Sequence, residues 1–338
     1  MELHSPKRAY RPPDGNDPPK RIIHEKELTD RQVDVMELLH RDMGYDFLPM
    51  SMISRFDGGS ERVLRNQMGE LRRPGNNYFY VPEQSENTKD YRNRPQFFGL
   101  DTNGYEALRE RTLCSETLRP KQSKQFAHDF QINMTRAAIE LGVQDDPKAT
   151  FRRRHQVIAR SSFQPPTKSL NPLALHVELS YKGQEVAFDY STDDLFAVGI
   201  AEPTEQGQQY GYRYYMHEAE NEKDLRGPLT KRTFLRTVLA IKYVYENELY
   251  KKHWGIKSLL TLFTVSSERK LRACLDDVVA EVFPNGCSYI MGQAIPHFHD
   301  KNFDEIQNLY ATPWKRHGYQ DFYLNNPGPQ DQRKEASY

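Results

Sequence analysis

The segment from Ser60 to Arg73 restricts the possible folds of this chain more than any other. A helix turns by about 100° per residue, and at that spacing the segment divides into an apolar half and a basic half. The apolar half contains Val63, Leu64, Gln67, Met68 and Leu71. The basic half contains Arg62, Arg65, Asn66, Gly69, Arg72 and Arg73. Because Pro74 and Gly75 follow, the segment predicts an amphipathic helix that packs one face on a core.

The basic half of this helix has the chemistry of a DNA recognition helix. Arginine binds guanine edges and phosphates, and asparagine binds adenine in the major groove. We therefore expect contacts with double-stranded DNA from Arg62, Arg65, Asn66, Arg72 and Arg73. Gly69 has no side chain that would hold this surface away from DNA. An ordinary helix with a solvated basic face is the competing interpretation.

The segments on both sides of this helix favour the DNA-binding interpretation. A capping box formed by Thr29 and Gln32 starts a first helix, and a short second helix is expected after Pro49. Two apolar strands joined by a basic loop are expected within residues 76–100, and another helix follows them. This order predicts a winged helix-turn-helix domain over residues 28–115.

Composition places the rest of the chain in a second, larger domain. The 338 residues exceed one average domain, and 37% are hydrophobic, which is enough for a sizeable core. Residues 1–24 predict a disordered leader and residues 326–338 a disordered tail. Equal numbers of basic and acidic residues, 47 each, argue against a protein that coats DNA non-specifically. No apolar stretch approaches the ~20 residues of a membrane-spanning helix, which predicts no membrane association. Three cysteines without a CxxC pair are typical of the reducing cytosol, so we expect a cytoplasmic protein.

Residues 124–322 predict a mixed α/β domain. A helix is expected over Gln125–Leu141, followed by strands that include His155–Arg160 and a hairpin that turns at Lys182. A long helix over Leu229–Lys251 then precedes a buried strand and a final helix. The predicted fold class is therefore α+β, with a winged helix-turn-helix domain followed by a mixed α/β domain.

Acidic residues lie at two strand ends of this second domain. Asp193 and Asp194 precede one strand, and Glu218 and Glu220 close another. Residues two apart in a strand face the same side, so Glu218 and Glu220 point together. Converging carboxylates are ligands that Mg²⁺ prefers. We predict that Asp194 and Glu218 bind Mg²⁺ and form a catalytic site with Glu220; solvated carboxylates at loop ends are the alternative.

The order of these elements resembles the replication-relaxation proteins of plasmids and other mobile elements. The resemblance rests on the segments His128-Asp-Phe-Gln-Ile-Asn, Asp193-Asp-Leu-Phe-Ala-Val, Tyr214-Tyr-Met-His-Glu-Ala-Glu and Ser258-Leu-Leu-Thr-Leu-Phe-Thr-Val. It covers most of residues 28–283. It implies a restriction-endonuclease-like second domain similar to that of mobilisation relaxases, and a role in plasmid replication or mobilisation with metal-dependent DNA nicking.

The resemblance also implies which residues carry the chemistry. The related core uses the pattern Pro-Asp…(Asp/Glu)-x-Lys, and Asp194 and Glu218 match its two acids. The proline is missing, and Glu220 stands where the lysine is expected. Arg232 or Arg236 on the following helix is a candidate for the missing positive charge.

Two other functions are compatible with the sequence. In one, the protein is a non-enzymatic winged-helix regulator or adaptor whose second domain forms a homodimer or docks a replication or transfer protein. In the other, a metal binds the His297-Phe-His299 triplet while Tyr310 or Tyr319 attacks DNA. No Gly-rich phosphate loop occurs, which disfavours an ATP-driven motor. The separation of the three predicted catalytic carboxylates distinguishes the nuclease from the regulator.

Overall fold

The computed structural model describes residues 21–41, 43–83, 96–111, 125–160, 171–204, 207–220, 223–296, 308–326 and 328–334. The described N-terminal residues form helices and short strands after a 3-10 turn at Glu25–Glu27. In chain order these are α1 (Asp30–Leu38), β1 (Leu48–Pro49), α2 (Met50–Asp57), α3 (Glu61–Leu71), β2 (Phe79–Tyr80), β3 (Phe97–Leu100) and α4 (Thr102–Glu110).

Local sequence determines where the first helices begin and end. The Thr29 hydroxyl accepts a hydrogen bond from the Gln32 amide at 3.3 Å, and the Gln32 side chain accepts one from the Thr29 amide at 2.9 Å. The predicted capping box at the start of α1 is therefore confirmed. Gly58 ends α2 in the left-handed conformation, with φ of 70°, which glycine adopts without strain.

The three short strands of the N-terminal part form one antiparallel sheet. β3 lies between β1 and β2 and is antiparallel to both, with Leu48 opposite Phe98 and Phe79 opposite Leu100. Leu64 of α3 is buried in the core that these strands cover. Most of the loop that joins β2 to β3 lies outside the described residues.

The second part is built on a six-stranded sheet. Its described elements are α5 (Phe126–Gln144), β4 (Ala149–Arg152), α6 (Arg154–Ile158), β5 (Ala174–Tyr181), β6 (Gln184–Ser191), β7 (Asp194–Thr204), β8 (Gly207–Ala219), α7 (Phe234–Glu246), α8 (Leu249–Trp254), β9 (Leu260–Val265), α9 (Glu268–Arg272), a π-helical segment (Ala273–Val279), α10 (Ala280–Val282), β10 (Ile290–Ala294) and β11 (Lys315–Arg316). The strand order is β4–β7–β8–β9–β10–β11, and β8, β9 and β10 are parallel to one another. Hairpin β5–β6 forms a separate two-stranded sheet.

The two faces of the six-stranded sheet are covered by different helices. Phe196 and Tyr215 belong to the core that includes α5. Leu195 and Met216, their neighbours along the strands, belong to the core that includes α7 and the helix from Glu268. This alternation is what the two-residue repeat of a strand requires. The described chain is therefore α+β, as predicted.

The N-terminal part and the α/β part share one core. The Phe47 and Phe126 rings stack at 4.7 Å between centroids, and Phe97 contacts Phe130 edge to face at 5.8 Å. The Tyr45 hydroxyl also donates to a Glu140 carboxylate oxygen at 2.7 Å. Helix α5 thus carries both the sheet and the N-terminal part on its buried surface.

Two predicted elements of the α/β part are wrong. Residues 155–160, predicted as a strand, lie largely in helix α6, whose start is stabilised by the Gln156 side chain accepting from the Arg153 amide at 2.9 Å. A run with so few apolar residues has no decisive periodicity. The predicted helix over 229–251 is two helices, because Glu248 adopts a left-handed conformation, with φ of 51°, between α7 and α8.

The chain termini agree only in part with the expected disorder. Residues 1–20 of the predicted leader lie outside the described residues, whereas the Ile23 amide donates to the Asn76 side chain at 2.7 Å. Within the predicted disordered tail at 326–338, the side-chain amide of Gln330 donates to the Tyr323 carbonyl at 2.8 Å. The Arg316 side chain also donates to the Gln330 carbonyl, so residues around Gln330 are ordered, contrary to the prediction. In the described part of the chain, no helix combines the length and apolar character that crossing a membrane requires.

Candidate functional sites

Helix α3 presents most of the predicted DNA-binding residues to solvent. The side chains of Arg62, Arg65, Asn66 and Arg73 are exposed, and Arg72 is half-buried. Leu64, Met68 and Leu71 anchor the opposite face in the core. Val63 departs from the prediction, because 46% of it is exposed although the helical wheel placed it on the apolar half.

The outward surface of α3 is open to a large partner. A Cβ atom built on Gly69 would meet nothing within 4 Å, so the surface has a gap at that position. Arg65 forms an ion pair with Glu61 one turn earlier, which leaves that guanidinium partly neutralised. Arg62 and Asn66 lie one turn apart on the exposed side, at the spacing that brings helix side chains together. This surface therefore offers guanidinium and amide donors with no covering segment among the described residues.

The register of β7 and β8 separates two of the three predicted catalytic acids. Asp194 is paired directly with His217, and directly opposed residues of antiparallel strands point to the same face. Glu218 is the next residue after His217, so its side chain points to the other face. Asp194 lines a cavity of about 300 Å³ and Glu218 lines a cleft of about 870 Å³, and Asp193 and His128 line both. Since these two side chains point to opposite faces of the sheet, the register does not support the predicted sharing of one metal ion by Asp194 and Glu218.

Asp194 is held in a buried ion pair on the α5 side of the sheet. Arg136 of α5 donates to one of its carboxylate oxygens at 2.9 Å, and the Leu195 amide donates to the other at 2.9 Å. The side chains of Arg136 and Asp194 are only 6% and 1% exposed. Arg136 also donates to the Gly44 carbonyl of the N-terminal part. These contacts give Asp194 a structural role that connects the sheet to the N-terminal part.

Glu218 and Glu220 lie on the other face of the sheet, close to a lysine. The Lys223 ammonium is 2.7 Å from a Glu220 oxygen and 4.0 Å from a Glu218 oxygen. The Tyr190 hydroxyl of β6 donates to the second Glu218 oxygen at 2.5 Å. Both carboxylates are almost completely buried. Lys223 thus places a positive charge beside both carboxylates.

Asp193, and not Asp194, is the aspartate on the Glu218 side of the strand end. Its carboxylate accepts a hydrogen bond from the Ala219 amide at 2.8 Å and contacts the His128 ring at 3.2 Å. Burial lowers the pKa of His128, but hydrogen bonds to Asp129 and Asp193 outweigh it and raise the pKa to about 10. Burial raises the pKa of Asp193, yet the contact with protonated His128 brings it below its ordinary value. Asp193 therefore stays ionised beside the cleft.

These carboxylates do not fit the predicted magnesium site. Among the described residues, no group of three or more His, Cys, Asp or Glu side chains is arranged to hold a metal ion. Asp194 is engaged with Arg136 on the opposite face, and the Glu218 and Glu220 carboxylates are next to the Lys223 ammonium. The cation beside Glu218 and Glu220 is therefore the Lys223 ammonium group.

The cleft beside Glu218 is surrounded by basic groups and helix N-termini. Arg232, Thr233 and Arg236 line it at the start of α7, where backbone amides favour anions. The Arg236 guanidinium stacks 3.5 Å from the centre of the Phe188 ring, on hairpin β5–β6. The first turn of α5, including His128, also lines it. A cleft lined by both carboxylates and guanidinium groups suits a polar, charged ligand such as a phosphodiester better than it suits an apolar ligand.

Burial of Glu218 makes the stability of the protein depend on pH. The pKa of Glu218 rises from 4.5 to about 8. Burial is the largest cause of this increase, and the negative charge of Asp193 adds to it. Between these values the folded protein holds a proton that the unfolded chain releases, and stability falls as pH rises. A glutamine at position 218 carries no charge, so Glu218→Gln lacks this pH dependence. We therefore expect the free energy of unfolding of Glu218→Gln, minus that of the native protein, to increase from pH 5 to pH 8 by up to about 1 kcal/mol per pH unit. Urea denaturation at a series of pH values measures this difference.

An exposed glutamate provides the control for this measurement. Glu106 lies on α4 with its side chain in solvent, so Glu106→Gln should show the same pH profile as the native protein. A stability difference between Glu218→Gln and the native protein that stays constant over this pH range would contradict the assignment.

The competing His-triplet site lies mostly outside the described residues. His297 and His299 belong to the undescribed segment 297–307. Tyr310, one of its two proposed nucleophiles, is buried, and its hydroxyl donates to an Asp146 oxygen at 2.9 Å. Tyr319 pairs with Arg333 through an isolated bridge. In the described chain, neither tyrosine lines the cleft beside Glu218.

The comparisons with known proteins add no relative. No family model, no curated protein and no solved structure matches this chain. The resemblance to replication-relaxation proteins therefore stays a prediction, and the contacts described above carry the functional interpretation.

Proposed function

We propose that this protein binds duplex DNA through α3 and that its N-terminal part is a winged helix-turn-helix domain. The observation that carries the proposal is the outward face of α3, where Arg62, Asn66 and Arg73 are exposed around the gap at Gly69. The element order supports it, because α2 and α3 are joined by a short turn and followed by two antiparallel strands. A helix with side chains is 10–12 Å across, about the width of the major groove.

The setting in which this binding takes place follows from the sequence. The resemblance to replication-relaxation proteins supports a role in the replication or mobilisation of a plasmid or other mobile element. It also favours a specific duplex site, because initiation and transfer begin at defined sequences. A DNA-binding protein with zero formal net charge depends on a local basic surface, and α3 supplies one.

Removing the donors of α3 tests this proposal. We expect Arg62→Ala and Asn66→Ala each to weaken binding to a preferred duplex about 10- to 100-fold, because a bidentate base contact is worth ~1–3 kcal/mol. Arg73→Ala should weaken all duplexes alike and reduce the salt dependence, as loss of a phosphate contact does. Fluorescence anisotropy with duplexes selected from a random pool measures both effects at several salt concentrations.

Arg109→Ala is the matched control, since Arg109 is an exposed arginine on α4. It should leave the affinity for the selected duplex within two-fold of the native value. Unchanged binding by a double Arg62→Ala, Asn66→Ala variant would show that α3 is not the reading helix.

A second candidate function concerns the cleft, and the Glu218–Lys223 arrangement favours it. We propose that the α/β part is restriction-endonuclease-like and cleaves a phosphodiester there. The succession α5, β4, β7, β8, α7 and β9 supports this, because it brings the ends of β7 and β8 together beside the cleft. Glu218, with its pKa near neutrality, is suited to exchange a proton with water or with the leaving oxygen. Lys223 and Arg232 are placed to neutralise charge on the phosphate.

The non-enzymatic regulator is the alternative to this second function. It is favoured by the separation of Asp194 from Glu218, which breaks the predicted acidic set. In that case the α/β part is a scaffold for a second copy of the chain or for a replication or transfer protein. Both alternatives keep the DNA-binding role of α3, so a cleavage assay distinguishes them.

A further inference from the structure

Val63 is an apolar side chain that the fold covers only in part. It lies near the start of α3 and is 46% exposed, while Leu64 beside it is buried. A β-branched residue loses side-chain freedom in a helix, and burial normally compensates for that loss. At Val63 the core covers only about half of the side chain, so the exposed half of its isopropyl group is accessible to a partner of α3.

The neighbours of Val63 belong to the proposed DNA-reading surface. Val63 and Asn66 are three residues apart, and Arg62 and Asn66 are four apart, so all three side chains lie together on α3. Gly69 follows one turn after Asn66, and its open space lets a partner approach the helix closely. Exposed arginines at positions 62 and 73 stand at the two ends of this surface. The surface thus combines an isopropyl group, a carboxamide and two guanidinium groups.

This combination matches the major-groove edge of an A·T base pair. Thymine presents a C5 methyl group there, and adenine presents the N7 acceptor and the N6 donor. Apolar side chains contact the methyl group, and asparagine binds adenine through both N6 and N7. Arg73, at the far end of this surface, complements the negative charge of the phosphates beside the groove.

We propose that Val63 is a specificity-determining residue whose methyl groups contact the C5 methyl of a thymine while Asn66 binds an adenine at the same or the adjacent base pair. The inference rests on the proposed binding of duplex DNA by α3. It adds a chemical requirement for the target, which must carry an A·T pair at the position read by the first turns of α3. Residues near the start of a recognition helix are those that reach base edges.

Replacing thymine with deoxyuridine tests this contact, since the two bases differ only by the C5 methyl group. Duplexes are first selected from a random pool with the native protein, and each thymine is then replaced in turn. We expect one replacement to weaken binding about four-fold, the ratio expected for burial of one methyl group. Val63→Ala should bind the thymine and deoxyuridine duplexes equally, whereas Val63→Thr, which keeps one methyl group, should retain the preference.

The possible outcomes separate this inference from the function on which it rests. Duplex binding without any preference for thymine over deoxyuridine overturns the inference alone, and so does a preference that survives in Val63→Ala. Absence of duplex binding overturns both the proposed function and the inference. A change in oligomeric state of Val63→Ala, seen by sedimentation without loss of thymine preference, would assign Val63 to a protein contact instead. Circular dichroism confirms that each variant is folded, as expected for substitutions at an exposed position.

Discussion

Replacing Arg136 with Met should lower the free energy of unfolding by about 3–5 kcal/mol, because the substitution leaves the Asp194 carboxylate buried without its ion partner. Asp194 is only 1% exposed, so its carboxylate depends on the guanidinium rather than on bulk solvent for its charge compensation. The variant also loses the bond from Arg136 to the Gly44 carbonyl, which ties α5 to the N-terminal part. Urea denaturation at neutral pH, followed by circular dichroism, measures the change.

Two further variants identify the cause of this loss. Arg109→Met changes an exposed arginine on α4 in the same way and should alter stability by no more than ~0.5 kcal/mol. Asp194→Asn added to Arg136→Met removes the unpaired charge and keeps a side-chain oxygen for the Leu195 amide, so it should restore part of the stability. A loss below ~1 kcal/mol for Arg136→Met alone would mean that the ion pair is not a main link between the two parts.

If the cleft is the proposed nuclease site, cleavage of DNA should fall at least ~100-fold in Glu218→Gln, because general acid–base catalysis typically contributes 10²–10⁴-fold. Gln keeps a side-chain oxygen that accepts from the Tyr190 hydroxyl but exchanges no proton. Lys223→Met should cause a comparable loss, since it removes the positive charge beside Glu218 and Glu220. The assay follows conversion of a supercoiled plasmid and of labelled single strands, with Mg²⁺, with Mn²⁺ and with a chelator.

The exposed variant Glu106→Gln serves as the control and should cleave at the native rate. Cleavage that persists in both Glu218→Gln and Lys223→Met would show that the chemistry lies elsewhere. A native protein that binds its selected duplex but cleaves none of these substrates is the expected result for the non-enzymatic regulator. The substitutions in the cleft should leave duplex binding by α3 unchanged, because α3 and the cleft lie in different parts of the chain.

The sequence predicted the N-terminal part well because its signals are local. The capping box at Thr29, the 3.6-residue repeat of α3 and the strands on either side of the connecting loop all depend on residues close together in the chain. Side chains such as Arg62 and Asn66 were therefore placed on the exposed face correctly. Val63 was not, because it lies near the boundary of the apolar half, where the surrounding elements decide what is covered.

The sequence predicted that the acidic residues lie close together, but not which of them face one another. That Asp193, Asp194, Glu218 and Glu220 lie near adjacent strand ends follows from the sequence and is confirmed by the pairing of β7 with β8. Which aspartate faces Glu218 depends on strand register, and a shift of one residue moves a side chain to the other face. No signal in the sequence fixes that register, so Asp194 was chosen where Asp193 lies beside the cleft.

Lys223 and the buried Arg136 are two further residues whose charged partners are set by the tertiary structure and not by the local sequence. The Glu-x-Lys pattern directs attention to position 220, but the ammonium beside Glu220 belongs to Lys223, beyond the end of the strand. Arg136 lies in a helix whose sequence does not reveal that Asp194 will be its partner, 58 residues later. The sequence alone determined the element types and the basic face of α3, since these depend on short-range periodicity. The tertiary structure decided which charges meet, because burial makes an unpaired charge costly and only the packed chain supplies the partner.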